Sequence, residues 1–284
     1  MLRRKVLTSF FVIPVLLAFL YLGGWPLFLF ATVFMLGGMH EFYAALIGRG
    51  AAPVRWAGWL AGIGILAATQ WATDEWRSGI TTACIVGVVF ASLLAQFRRP
   101  AGTSVLTNVG GTVFGVVYIP FLFSFFLRLR QLPLGGVEGI PLDGVRDRMG
   151  VVLLVLAAVW AMDTVANVVG GALGTARPWP NVSPSKTWEG CLSGLLAAMV
   201  VTLVAGAICH LPVLHLLALG ALIGVIAQLG DFSESLIKRD LGLKDFGTVL
   251  PGHGGVLDRF DSLVFAMPVA YCYLYFLLRS LGAG

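Results

Sequence analysis

The chain has 284 residues, of which 58% are hydrophobic and only 12% charged, with a formal net charge of +5. A soluble domain carries about 25% charged residues, so a mean hydropathy of +0.90 excludes an ordinary soluble domain and predicts an all-α, polytopic bundle of membrane helices. The basic balance, with a pI near 9.2, fits loops that meet anionic lipid and fix topology, and gives no reason to invoke nucleic acid.

The first residues place Arg3, Arg4 and Lys5 ahead of a long apolar run. No small-residue cleavage site clearly follows, so an uncleaved first helix is expected. Apolar runs predict nine spans, near 6–22, 26–47, 56–73, 79–96, 107–127, 150–170, 190–209, 212–230 and 261–279. The division between the seventh and eighth is the least marked, because only His210-Leu211-Pro212 separates them; one long kinked element is the alternative. The whole of 1–284 reads as a single integral membrane domain, with N-terminal helices over roughly 1–150 and the polar, chemistry-bearing segments within 151–284. The stretch from Leu132 to Met149 reads as a solvated loop. Cys84, Cys191, Cys209 and Cys272 fall in or beside apolar runs without metal-ligand spacing, as expected of free thiols. Most of the 36 glycines are expected to serve close helix packing.

Lysine and arginine counts set an orientation. With the N-terminus in the cytoplasm, thirteen of the 19 basic residues fall on the cytoplasmic side and six on the other. That bias predicts N-in and C-out, with the polar segments 171–189 and 231–260 both facing the cytoplasm.

The densest charge lies between Asp231 and Asp261. This stretch holds Asp231, Glu234, Asp240, Asp245, Asp258 and Asp261, six of the chain's 14 acids, together with Lys238, Arg239, Lys244 and Arg259. It also carries a glycine-rich turn, Pro251-Gly252-His253-Gly254-Gly255. Charge pressed against membrane helices is costly unless it binds something. Carboxylates, basic residues and a glycine-rich backbone together suit a metal-bound polyphosphate. If the eighth span continues as helix, Asp231, Ser235 and Lys238 or Arg239 share a face. Asp258 and Asp261, three apart, open the ninth span. Hard oxygen ligands favour Mg²⁺ over zinc. Interfacial salt bridges are the plainer reading of any one pair, but not of the whole set. His253 reads as a phosphate donor or turn residue ahead of a metal ligand.

A second cluster runs from Asp163, an acid inside an apolar run, through Ser183-Pro184-Ser185-Lys186-Thr187-Trp188-Glu189-Gly190. Ser183, Ser185 and Thr187 offer hydroxyls and Lys186 a point charge, a set suited to phosphate. The same residues also read as a helix start, with Ser183 or Ser185 as N-cap and Glu189 beyond it. Both roles are compatible, since a helix N-terminus is itself an anion site. Glu41, in Met39-His40-Glu41-Phe42-Tyr43, reads equally as an interfacial polar residue or a site residue.

The pattern Ser235-x2-Lys238-Arg239-x4-Lys244-Asp245-x5-Pro251-Gly252-His253-Gly254-Gly255-x2-Asp258-Arg259-x-Asp261 resembles the signature of the phosphatidate cytidylyltransferases, also called CDP-diacylglycerol synthases. The upstream Ser183–Gly190 stretch and the Asp163, Ala166, Gly170 spacing resemble that family too; Asn167 stands where members often have Tyr. The resemblance implies a reaction of CTP with phosphatidate to give CDP-diacylglycerol and pyrophosphate, with Mg²⁺, in phospholipid biosynthesis. It implies metal carboxylates at Asp231 and Asp258 first, then Asp261, with Asp163 added here as an intramembrane acid. Lys186, Lys238 and Arg239 are expected to act on the reacting phosphates. Ser183, Ser185, Thr187, Ser235, Lys244, His253, Gly254, Gly255 and Arg259 are expected to line the substrate. The expected setting is a bacterial inner membrane with the site facing the cytoplasm; oligomeric state stays open, a homodimer being one option.

Two other readings compete. Another CTP-using membrane enzyme, such as a polyprenol kinase, would transfer the γ-phosphate instead. An ion-coupled transporter would use Asp163 and Asp231 on its pathway, but transporters show repeated halves and interrupted helices near the midplane, and no repeat is visible.

Overall fold

The computed structural model describes residues 14–100, 104–132, 145–207, 212–247 and 254–280, and every regular element among them is helical. The first helix, α1, is described over 14–22. It is followed by α2 (Gly24–Gly48), α3 (Arg55–Trp71), α4 (Asp74–Gln96), α5 (Val105–Val116) and α6 (Leu122–Arg130). The later helices are α7 (Val145–Leu173), α8 (Trp188–Ala207), α9 (Val213–Asp240) and α10 (Asp261–Ser280). Each of the nine expected spans coincides with a helix, although the part of the first before residue 14 lies outside the described residues. Among those described, seven segments are long and apolar enough to cross a membrane. The 17-residue α3 is shorter than the roughly 20 residues of a typical crossing. The seventh and eighth spans are separate helices, α8 ending at Ala207 and α9 starting at Val213.

The fifth span is one apolar run in sequence but not one uniform helix. Pro120 cannot donate to the preceding turn and its ring crowds the carbonyl four residues back. The chain absorbs this with a π-helical turn over Val117–Phe121 between α5 and α6, the usual form of a local helix adjustment at proline.

The chain forms two compact units. The first comprises Met1–Leu127 and Asp240–Phe260. Its helices pack through a buried tyrosine lodged in glycine notches. The Tyr43 hydroxyl donates to the Thr112 carbonyl at 3.0 Å, and a Cβ on Gly58 or Gly115 would run into the Tyr43 ring. Polar side chains on α5 tie down the α2–α3 connection. Ala52 N–H donates to Asn108 Oδ1 at 2.6 Å and Val54 N–H to Thr112 Oγ1 at 2.9 Å. Such ties satisfy backbone groups that would otherwise be orphaned against hydrocarbon.

The second unit comprises Arg128–Arg239 and Asp261–Gly284. Small residues set its helix spacing. A Cβ on Gly190 of α8 would come within 2.7 Å of the Ala166 carbonyl on α7, and one on Gly194 within 2.9 Å of the Met162 carbonyl. Gly220 and Gly224 do the same for α9 against α8, and Gly230 for α9 against α10, where a Cβ would lie 2.7 Å from the Asp261 carbonyl. The packing role expected of glycines is therefore realised at these positions. The consequence for chemistry is direct: Gly230 lets the start of α10 lie against α9 beside Asp231.

Candidate active site

Four charged groups meet in the second unit. Asp163 comes from the middle of α7, Asp231 from α9 one residue after Gly230, Asp261 from the first residue of α10, and Lys186 from the connection before α8. The Lys186 ammonium is ion-paired with Asp231. Asp163 and Asp261 each feel the charges of Asp231 and Lys186, and Asp261 that of Asp163. The Ser262 hydroxyl, buried on α10 beside Asp261, has no hydrogen-bond partner among the described residues. Lys186 is paired with Asp231, and Asp163 and Asp261 lie within electrostatic reach of that pair. Among the described residues, however, no three His, Cys, Asp or Glu side chains stand ready to hold a metal ion.

Lys186 is held from several directions. Its ammonium lies 4.4 Å from the Phe232 ring centroid, and Trp179 packs edge-on against that ring at 4.7 Å. The connection before α8 is itself folded back on the helices. Glu189 accepts from the Thr175 hydroxyl at 2.5 Å and from the Thr175 and Ala176 N–H groups at 3.1 and 3.3 Å. Trp188 N–H donates to the Ala176 carbonyl at 2.8 Å. The N-cap is neither Ser183 nor Ser185. Thr187 Oγ1 accepts from Gly190 N–H at 3.2 Å, because α8 begins at Trp188, later than the serines would require. Ser183 is buried and Ser185 exposed.

Helix α9 does continue past the apolar run, to Asp240. Ser235 and Lys238 are buried on it. Lys238 donates to Glu234 Oε1 at 2.9 Å, with Glu234 fully buried. Arg239 Nε donates to the Val182 carbonyl at 3.2 Å. Both basic residues thus hold protein groups in place.

Asp258 belongs to the first unit. Its Oδ2 accepts from Gly255 N–H at 2.8 Å and Phe246 N–H at 3.0 Å. Glu41, which the sequence left between two readings, is 4% exposed and accepts from Val256 N–H at 2.9 Å and Leu257 N–H at 3.0 Å. Of the glycines that suggested an anion cradle, Gly254 and Gly255 answer to these carboxylates, and Gly252 lies outside the described residues. A Cβ on Gly247 or Gly255 would strike Glu41, and Gly254, at φ +81°, lies against Asp258. Lys244 and Arg259 are exposed. His253 lies outside the described residues.

Residues 3–277 match the cytidylyltransferase family. The chain is 37% identical over 180 residues to the phosphatidate cytidylyltransferase of Bacillus subtilis (strain 168), covering 62% of this chain and 60% of that one. It is 29% identical over 303 residues to the enzyme of that name from Synechocystis sp., covering 98% of each. It is 30% identical over 270 residues to the one from Staphylococcus haemolyticus, covering 94% of this chain and 96% of the relative. The resemblance carried by Ser235 to Asp261 therefore extends along nearly the whole length, and this chain, a multi-pass helical membrane protein, belongs to the cytidylyltransferase family.

Proposed function

We propose that this chain joins CTP and phosphatidate into CDP-diacylglycerol, releasing pyrophosphate, as a step of phospholipid biosynthesis. The observation that carries the reading is the meeting of Asp163, Asp231 and Asp261, from three membrane helices, with Lys186 from the connection before α8. The family match and the names of the relatives support it.

The chemistry asks for what these residues offer. A phosphate monoester has its second pKa near 6, so the lipid phosphate is already a competent nucleophile and needs no strong general base. Its oxygen bonds to the α-phosphorus of CTP while the bond from that phosphorus to the bridging oxygen breaks and pyrophosphate leaves. Positioning and charge neutralisation then set the rate. Lys186 supplies a fixed ammonium, held by Asp231 and the Phe232 face, that can be shared with a phosphate oxygen. Three carboxylates alone would repel a triphosphate. They are hard oxygen donors, and their charge exceeds that of Lys186, which fits a divalent cation such as Mg²⁺. Magnesium rests here on donor chemistry and charge, since no coordination sphere stands preformed among the described residues. When bound, it would neutralise polyphosphate charge. Asp163, Asp231 and Asp261 would hold it; for Asp258, in the first unit, a metal role rests on the sequence resemblance. Lys244 and Arg259, both exposed, would steer phosphates. We place the protein in a bacterial inner membrane with this site facing the cytoplasm, where CTP is made; the asymmetry of Lys and Arg supports that orientation.

Purified protein given CTP, phosphatidate and Mg²⁺ tests the reading. CDP-diacylglycerol and pyrophosphate are the expected products. A phosphorylated lipid with CDP, or no nucleotide consumption, would refute it.

A further inference from the structure

A carboxylate buried within an apolar helix is costly unless it is fully partnered. Glu41 sits on α2 at 4% exposure, and among the described residues its partners are backbone N–H groups rather than a cation. Those two donors, Val256 and Leu257, open the 3₁₀ turn Leu257–Arg259, whose first N–H groups have no partner within the turn itself. The turn carries Asp258 and Arg259. Asp258 in turn ties Gly255 and Phe246 together, and Gly247 and Gly255 lack the side chains that would displace Glu41. Simple space-filling would be served by leucine at position 41. Two carboxylate oxygens aimed at two successive amides instead fix one backbone conformation.

We infer that Glu41 is a positioning residue for the proposed reaction: it sets the backbone of the turn that carries Asp258 and Arg259, for which the sequence resemblance implies metal and substrate roles. The inference rests on the cytidylyltransferase reading. Glu41 touches neither substrate nor cation and acts through the backbone of the turn.

The test compares wild type with Glu41→Gln and Val256→Pro in full-length protein, measuring kcat, KM for phosphatidate, half-saturating Mg²⁺–CTP and thermal melting. Glutamine keeps the length but sets an NH₂ group against a backbone N–H. Proline deletes one donor while leaving Glu41 intact, at a φ of −65° that proline adopts freely. In both variants we expect kcat to fall about 10–100-fold, the range for groups that orient ligands from behind. Half-saturating Mg²⁺–CTP should rise while KM for phosphatidate stays close to wild type, and the melting temperature should fall modestly because each variant leaves a buried polar group without a partner. A variant that melts earlier but keeps wild-type kcat per folded molecule would make Glu41 a purely structural group and overturn the inference. If Glu41→Gln does not fold, the kcat of Val256→Pro decides by the same criterion. An active wild type with unaffected variants sinks this inference alone; a wild type that makes no CDP-lipid sinks the parent reading and this one with it.

Discussion

Replacing Lys186 by alanine separates a helix start from a reacting site. The start of α8 does not depend on Lys186, because Thr187 supplies the cap and Glu189 holds residues 175 and 176. What Lys186 does hold is charge. Its side chain and that of Asp231 are only 22% and 24% exposed. At that depth, two unit charges a few ångströms apart interact by several kcal/mol before desolvation is counted. The net worth of such a charge-assisted pair is nearer 1.5–3 kcal/mol, toward the lower end where water still screens it. On the proposed reading the ammonium faces a polyphosphate in the transition state, where a preorganised donor contributes about 2–4 kcal/mol. Lys186→Ala should therefore lower kcat/KM by roughly 30- to 900-fold. Removing the ammonium also leaves Asp163, Asp231 and Asp261 without the charge that Asp231 pairs with. Without magnesium the variant should melt below wild type, and added Mg²⁺ should recover most of the difference. Steady-state kinetics and detergent melting curves with and without Mg²⁺ provide the readout. Normal kinetics with a lowered melting temperature would show that Lys186 serves folding and not transfer.

Three further outcomes follow from the same geometry. Asp231→Asn should abolish turnover while the protein stays folded, because it removes a ligand charge from a helix that its apolar faces hold in place; near-wild-type activity at saturating Mg²⁺ would take Asp231 out of the site. Thr187→Val should destabilise the protein by about 1 kcal/mol through loss of the cap, whereas Ser185→Ala, at an exposed position, should leave the melting curve unchanged; the reverse order would move the cap back to the serine. Single cysteines at Lys244 and Gly136, probed in intact cells with an impermeant reagent, should react at position 136 and not at 244, and the opposite pattern would invert the topology.

Much of this arrangement was legible before any coordinates. The apolar runs mark the helices, since the period and length of a membrane span leave few alternatives. The apolar run stops near 230, and the extension of α9 to Asp240 stood in the sequence only as the condition under which Asp231, Ser235 and Lys238 share a face. Asp163 stands out because an acid in an apolar run is rarely idle. The same rule marks Glu41, but its partners Val256 and Leu257 lie 215 and 216 residues away, and no local pattern encodes a contact at that separation. The glycines near position 254 were ambiguous for a related reason. A glycine that admits a phosphate and one that admits a neighbouring carboxylate look alike in one dimension; Glu41 and Asp258 supply the second kind of neighbour. The N-cap was misplaced because Ser183, Ser185 and Thr187 are all good caps, and only the tie from Trp188 to Ala176 shows where the helix can begin. Lys238 reads as a phosphate ligand by composition, yet Glu234 sits four residues before it, and that spacing gives the buried pair its simplest explanation.

The central claim is that this site moves a cytidylyl group and not a terminal phosphate. It is tested most directly by running the purified protein with phosphatidate, Mg²⁺ and CTP labelled either at the α- or at the γ-phosphorus. The α-label should appear in the lipid and the γ-label in pyrophosphate, both transfers disappearing in Asp231→Asn. Label from the γ-position in the lipid, with CDP released, would contradict the account.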